Sequence, residues 1–273
     1  MNTYDDFFVL TNDVKIPSIG FGTWQIPNGD TAYNSVMSAL KSGYRHIDTA
    51  YAYGNEESVG RAVRDSGIPR DQIFITTKLP AEVKNHDEAL RRYEKSMANL
   101  GLGYTDLYLI HAPWPWAEKG ADYTRENIEV WKAMEKIYGG GTCRSIGVSN
   151  FNVKDLTAIL DTCSVKPMVN QIKFYIGYTE DDITGFSQKN NILVEGYSPL
   201  ATGAILKNSA IAAVAEKYKR SVPQISVRYL LQKGVLPLPK SVTPSRIAEN
   251  IDVDFVISDD DIRYLDNLKD TVK

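Results

Sequence analysis

Short apolar runs recur along the chain, and most of them end in one polar residue. His46-Ile47-Asp48 ends in Asp48, and Ile73-Phe74-Ile75-Thr76-Thr77-Lys78 ends in Lys78. Leu107-Tyr108-Leu109-Ile110-His111 ends in His111, and Ser145-Ile146-Gly147-Val148-Ser149-Asn150 ends in Asn150. Met168-Val169-Asn170-Gln171 carries Gln171, and Val235-Leu236-Pro237-Leu238-Pro239-Lys240 ends in Lys240. Runs of this kind suit parallel strands buried on both faces. The pattern predicts strands near 18–22, 46–50, 73–78, 105–111, 144–149, 168–173, 192–197 and 235–239. Helical periodicity predicts helices near 31–42, 55–66, 87–100, 125–138, 153–162, 180–189, 209–219 and 244–251, with two more at 223–233 and 258–269. Phe8-Val9-Leu10 and Val14-Lys15-Ile16 flank Thr11-Asn12-Asp13, which reads as a hairpin across the bottom of a barrel.

Helix punctuation agrees with these spans. Asp87 is expected to cap a helix in which Leu90, Tyr93, Met97 and Leu100 share one face, and Gly101 to end it. Asn55 precedes Glu56 and Glu57, which suit the positive end of a helix dipole. Gly43 and Gly67 are expected to end two further helices, and Gly139-Gly140-Gly141 follows the helix that carries Trp131 and Met134. Alternating strands and helices imply a parallel sheet with right-handed crossovers, and eight pairs favour an α/β fold of the closed (β/α)8 TIM barrel type over an open doubly wound sheet. No linker rich in Gly, Pro or Ser interrupts the chain, so residues 1–273 read as a single barrel domain without internal sequence repeats.

Composition narrows the picture modestly. The 273 residues, 43% of them hydrophobic, suffice for one large barrel, and length alone also allows two ordinary domains. A net charge of −3 gives no basic excess for nucleic acid, although a local phosphate site stays open. Met1 to Asp6 is acidic and lacks the apolar core of a signal peptide, and no run approaches the roughly 20 residues of a membrane span. Cys143 and Cys163, the only cysteines, read as reduced thiols, and the expected location is cytoplasmic. A metal site is not expected, because His46, His86 and the two cysteines lack ligand spacing.

The strand ends carry a chemical set: Asp48, Tyr53, Lys78 and His111. A free tyrosine has a pKa of about 10, too high for efficient proton transfer near neutrality. An ammonium beside it favours the phenolate, so Lys78 is expected to lower that pKa, with Asp48 holding Lys78 charged and oriented. His111 is placed to hydrogen-bond a substrate oxygen. The set suits proton delivery to a carbonyl oxygen as charge develops there. It contains no activated serine or cysteine and no carboxylate pair, which disfavours hydrolysis. Each residue alone has a structural reading: a buried acceptor, one of 16 tyrosines, a surface lysine, a satisfied core histidine. Their placement together on successive strand ends favours chemistry.

Residues His46 to Glu56, reading HIDTAYAYGNE, resemble the signature of the aldo-keto reductases. Thr77-Lys78-Leu79, Ser145 to Phe151, Leu238 to Thr243 with Arg246, Glu249 and Asn250, and Gly20 to Trp24 agree with that family in order along nearly the whole chain. The likeness is to the bacterial type, similar to diketo-gluconate and glyoxal reductases. The resemblance implies a barrel without a Rossmann domain and an NADPH-dependent carbonyl reductase, an NADP-linked alcohol dehydrogenase in the reverse sense. Tyr53 would be the general acid, Lys78 and Asp48 would tune it, and His111 would orient the carbonyl.

A cofactor must be held without the usual glycine motifs. No Gly-x-Gly-x-x-Gly follows a strand, and there is no Gly-Lys-Ser/Thr loop. By resemblance, Ser149, Asn150 and Gln171 hold the nicotinamide carboxamide and Tyr197 stacks on its ring. Ser198 and Leu200 lie near the pyrophosphate, and Thr23 and Trp24 belong to the cofactor side of the first strand end. Lys240, Ser241, Val242, Thr243 and Arg246 resemble a clamp for the 2′-phosphate, which favours NADP over NAD, with Glu249 and Asn250 facing the adenine. Arg246 falls on the first turn after Pro244, where backbone N–H groups also suit phosphate. The alternative is that Lys240 and Arg246 are ordinary surface cations.

The chain departs from the family at Ala112, where many relatives carry a bulky residue after the site histidine. Ala112 is expected to widen the pocket, with Trp114 or Trp116 filling part of the space and Trp24 another wall. Packing anchors are the competing reading of the loop tryptophans. Little chain follows Leu268, so the substrate loop is expected to be nearly absent and the site shallow, open to small aldehydes, dicarbonyls or keto sugars. The expected partner is a small carbonyl substrate, with no nucleic acid or membrane, and the chain is expected to be a monomer. A second function class is a cofactor-sensing, non-catalytic regulatory subunit.

Overall fold

The computed structural model describes residues 7–269, 271 and 272, so the reading of Met1 to Asp6 lies outside the described residues. Strands β1 (Phe7–Val9) and β2 (Lys15–Pro17) pair antiparallel as the expected hairpin. Eight parallel strands follow: β3 (Phe21–Gly22), β4 (His46–Asp48), β5 (Phe74–Leu79), β6 (Leu107–Ile110), β7 (Ile146–Ser149), β8 (Val169–Lys173), β9 (Leu193–Tyr197) and β10 (Val235–Leu238). Each pairs with its sequence neighbour from β3 to β10. The helices are α1 (Asp30–Lys41), α2 (Glu56–Asp65), α3 (His86–Leu100), α4 (Thr124–Gly139), α5 (Val153–Leu160), α6 (Asp181–Lys189), α7 (Ser209–Lys217), α8 (Val222–Gln232), α9 (Pro244–Ile251) and α10 (Asp259–Asp266). This is the (β/α)8 architecture with an N-terminal hairpin and two extra helices, α8 and α10.

The ring closes by a one-sided seam. Gly20 N–H donates to the Pro237 carbonyl and Gly22 N–H to the Pro239 carbonyl, both at 3.0 Å. Proline has no N–H to return, so β3 and β10 meet without a reciprocal ladder. The seam also demands glycine. A Cβ on Gly20 would lie 2.4 Å from Leu238 Cδ2 and 2.6 Å from His46 Nδ1.

The hairpin plugs the lower end. Leu10 and Ile16 join Phe74, Leu107, Leu109, Met168, Val169, Leu236 and Leu238 in the inner core. Three outer apolar clusters bind the helices to the sheet, with Ile47, Ile75 and Val59 in one, Ile110, Trp131 and Val148 in the next, and Val194, Tyr229 and Ile257 in the last. The upper end is thus left to polar strand ends.

One helix start differs from expectation, while α2 begins as expected with Glu56 and Glu57 in its first turn. Asn85, not Asp87, caps α3: its side chain accepts from the N–H groups of Asp87 and Glu88, and Asp87 sits in the first turn. Asn55 flanks α2 without capping it. Its side chain instead accepts from Thr49 Oγ1 at 2.7 Å and donates to the Thr23 and Ile26 carbonyls at 3.0 and 2.9 Å. That pins the first strand end to the segment carrying Tyr53. Ser42 and Ser66 close α1 and α2, with Gly43 and Gly67 just beyond at positive φ, and Gly101 closes α3 in the left-handed region. Cys143 and Cys163 are free thiols. Among the described residues no helix is long and apolar enough to cross a membrane.

Candidate active site

Asp48 ends β4 and Lys78 is the last residue but one of β5, and both are buried. Lys78 Nζ lies 2.7 and 2.8 Å from the two Asp48 oxygens and donates to the Thr49 carbonyl at 2.9 Å. It also reaches the Tyr53 hydroxyl at 3.3 Å. Tyr53 is delivered by a 3-10 turn, Tyr51–Tyr53, closed by Gly54 at φ +67°. Its ring meets the His111 ring edge-on, with centroids 5.5 Å apart.

Burial alone would lower the Lys78 pKa, but Asp48 and Tyr53 together hold it above the ordinary value. For Tyr53 the expectation of a lowered pKa is corrected. Burial raises it, and that outweighs the downward pull of Lys78, while Asp48 also raises it. The physical reason is burial, which disfavours the charged phenolate, with the Asp48 charge offsetting part of the Lys78 pull. The phenol therefore keeps its proton at neutral pH. His111 is pushed down to about 3 by burial and then by Lys78, so its ring is neutral. Its Nδ1 is buried without a partner among the described residues, which leaves Nε2 as the nitrogen available to the cavity.

These groups open into a cavity of about 1050 Å³. Gly22, Trp24, Asp48, Tyr53, His111, Ser149, Asn150, Gln171, Tyr197, Ser198 and Leu200 line it, as do Lys240, Ser241, Arg246, Glu249 and Asn250. A single cavity thus joins Asp48, Tyr53 and His111 to the two cations of the β10–α9 connection, with Lys78 fully buried behind them. Its floor is cross-braced. Ser149 Oγ donates to the Gln171 carbonyl at 2.8 Å, and Asn150 Nδ2 donates to the His111 carbonyl at 2.9 Å and to Ser149 Oγ at 3.0 Å. Tyr197 donates its hydroxyl to Asn150 Oδ1 at 2.8 Å. Asn150, Ser198, Ala201 and Thr202 all have positive φ. Such backbone strain in non-glycine residues concentrates at functional sites.

Some predicted site residues lie elsewhere. Thr23 is fully buried, its hydroxyl spent on the Asp48 carbonyl at 2.9 Å, so it braces Asp48 rather than lining the cavity. Val242 and Thr243 are exposed and outside the lining. The expectation that Ala112 widens the pocket and that Trp114 or Trp116 fills part of it is corrected for two of the three: Ala112 and Trp114 do not line the cavity. Ala112 is completely buried, in the segment that leaves the barrel after β6 ends at Ile110. Its carbonyl accepts from Lys84 Nζ at 3.0 Å, and Asn127 Nδ2 holds the Pro113 carbonyl at 2.7 Å, which fastens this loop outside the barrel mouth. Trp116 takes the wall instead, its ring perpendicular to His111 at 5.4 Å, with Trp114 packed behind it at 5.2 Å.

Three features escaped the sequence reading. Gln25 lines the cavity. So does the segment of Thr202, Gly203 and Leu206, part of a kinked turn at 201–207 whose only sequence signal is Gly203. Glu195 is fully buried beside Gln171, and its signal was available: a carboxylate in the middle of an apolar strand.

The fold and this constellation define a barrel oxidoreductase, and the chain belongs to the aldo/keto reductase family, whose model matches residues 18–270. It is 41% identical to glyoxal reductase of Bacillus subtilis (strain 168), covering 96% of this chain and 92% of that protein. It is 38% identical to 9,11-endoperoxide prostaglandin H2 reductase of Trypanosoma cruzi (strain CL Brener), covering 99% and 94%. Among solved structures it superposes on a Bombyx mori aldo-keto reductase in complex with NADP with a TM-score of 0.87, at 32% identity over 98% of this chain and 94% of that one.

Proposed function

We propose that this chain reduces aldehydes and ketones to alcohols with NADPH, with Tyr53 as proton donor. The observation that carries the reading is the Asp48–Lys78–Tyr53 chain beside a neutral His111, opening into the cavity that also holds Lys240 and Arg246.

The residues suit the cofactor chemically. Lys240 and Arg246 supply positive charge for a 2′-phosphate, and Ser241 a hydroxyl beside it. Glu249 and Asn250 suit the adenine, and Ser198 and Leu200 the pyrophosphate stretch. Ser149, Asn150, Gln171 and Tyr197 would hold the nicotinamide. The cofactor, when bound, supplies the hydride that goes to the carbonyl carbon. Tyr53 then has the complementary task. Burial keeps its proton in place until a carbonyl oxygen is there to take it. As the proton leaves, Lys78 is 3.3 Å away to stabilise the phenolate, and Asp48 keeps Lys78 charged. His111, neutral, donates from Nε2 to the same carbonyl oxygen. Trp24 and Trp116 form aromatic walls for the substrate.

Small aldehydes, dicarbonyls and keto sugars are the proposed substrates, a choice supported by the likeness to glyoxal reductase. The test is NADPH oxidation with glyoxal, a short aliphatic aldehyde and a keto sugar. Turnover of at least one is expected. Tight NADPH binding with no turnover of any carbonyl would instead favour a non-catalytic cofactor sensor.

A further inference from the structure

We propose that Glu195 is a positioning residue that fixes the amide of Gln171 so that its carbonyl reads the N–H of the nicotinamide carboxamide. This rests on the NADPH reading above and adds a residue to it.

Gln171 and Glu195 are register partners on β8 and β9. Gln171 Nε2 donates to Glu195 Oε2 at 2.7 Å and to Asp48 Oδ2 at 2.9 Å. Both amide protons are thereby committed to carboxyl oxygens. A flipped amide would set its Oε1 against Asp48 Oδ2, which already accepts from Lys78 at 2.8 Å and has no proton to offer. The orientation follows: nitrogen toward the carboxyls, oxygen away from them. Among the described residues nothing donates to Gln171 Oε1, and Gln171 lines the cavity. An acceptor held there suits an amide N–H.

Asp48 alone would hold one of the two amide protons. Glu195 holds the other and removes the remaining freedom of the group about its terminal torsion. Burial, and then Asp48, push the Glu195 carboxyl up to about 8, so it is neutral at pH 7 and does not compete with Asp48 for Lys78. Its proton then resides on Oε1, the oxygen without a partner among the described residues, and Oε2 stays an acceptor. The residue thus fixes an amide without adding a second negative charge beside the Asp48–Lys78 pair.

The experiment measures dissociation constants by fluorescence for NADPH and for its acetylpyridine analogue, in which a methyl replaces the carboxamide nitrogen. The wild type is expected to prefer NADPH by roughly fivefold, the worth of one net hydrogen bond. Glu195→Met, whose thioether is only a weak acceptor, is expected to lose most of that preference. Glu195→Gln, whose amide oxygen still accepts from Gln171, is expected to keep it. Gln171→Met is expected to match Glu195→Met, and the double variant to add nothing further. An unchanged preference in Glu195→Met overturns the proposal, as does an equal loss in Glu195→Gln, which would point to charge rather than amide orientation. If Glu195→Met fails to fold, Glu195→Ala replaces it, and the Glu195→Gln result still decides against the proposal if the preference is lost. Failure of the cofactor reading itself would show separately, as absence of NADPH binding to the wild type.

Discussion

Lys78 has three protons and four oxygen atoms within 3.3 Å, which explains how one side chain both neutralises Asp48 and serves Tyr53. The Tyr53 contact is the longest of the four, and in the proposed reaction loss of the phenol proton would turn it into a second charge-assisted contact. The same logic of waiting groups applies to Arg246. It is exposed, it lines the cavity, and it stands on the first turn of α9. A charge-assisted contact is worth roughly 1.5–3 kcal/mol. Arg246→Ala is therefore expected to weaken NADPH binding about ten- to a hundredfold and leave NADH nearly unchanged. Binding titrations with both cofactors check it, and equal losses would assign Arg246 a structural role or a group that both cofactors share. Polar residues at the ends of apolar runs marked Asp48, Lys78 and His111 in the sequence, and the family-like segment His46 to Glu56 marked Tyr53; the structure brings the four together. The direction in which Ala112 faces was not legible. It depends on the path of the chain after His111, which Lys84 and Asn127 set from distant segments.

At the scale of elements, the barrel was readable because buried parallel strands have a simple signature, a short apolar run, and helices another. What the pattern overestimates is strand length. The expected strand at 18–22 is only Phe21–Gly22 as a ladder, and 144–149 begins at Ile146. Pairing partners set a ladder's ends, and apolarity continues past them. The choice of Asn85 over Asp87 as the cap of α3 follows the same lesson. Both side chains can cap, and only the backbone path, extended at Asn85, selects between them. The β3–β10 seam is the element whose failure has a clear cost. Gly20→Ala would drive a Cβ into Leu238 and His46, and overpacking of this kind typically costs about 1–3 kcal/mol. Gly139→Ala, at the end of α4 with nothing within 4 Å of the new atom, is expected to be neutral or stabilising by up to about 1 kcal/mol. Urea unfolding of the two variants tests the contrast, and a Gly20→Ala protein as stable as the wild type would mean that the seam is looser than its geometry implies.

For the whole molecule, buried titratable groups shape stability against pH. His46 is fully buried with its Nε2 on Thr76 Oγ1 at 2.9 Å, and burial, then Lys78, lower its pKa from 6.5 to about 3. A lowered folded-state pKa means that its contribution is present above pH 6.5 and is lost as pH falls toward 3. Glu195 has the opposite sign. Its pKa is raised from 4.5 to about 8, so its contribution is complete below pH 4.5 and is lost as pH rises through 8. Thermal melts across this range are expected to fall on both flanks, with His46→Leu flattening the acid side and Glu195→Gln the alkaline side. Parallel curves for variant and wild type would remove these groups as the cause.

The proposed proton transfer depends on one hydroxyl, that of Tyr53. Tyr53→Phe keeps the ring against His111 and removes only the oxygen that Lys78 approaches at 3.3 Å. Turnover of a small carbonyl with NADPH, measured beside NADPH binding by fluorescence on the same preparation, is the direct test. The expected result is unchanged cofactor affinity with turnover lowered at least about a hundredfold, the lower range for loss of a general acid. Turnover near the wild-type rate, with cofactor binding intact, would contradict the assignment of Tyr53 as the proton donor.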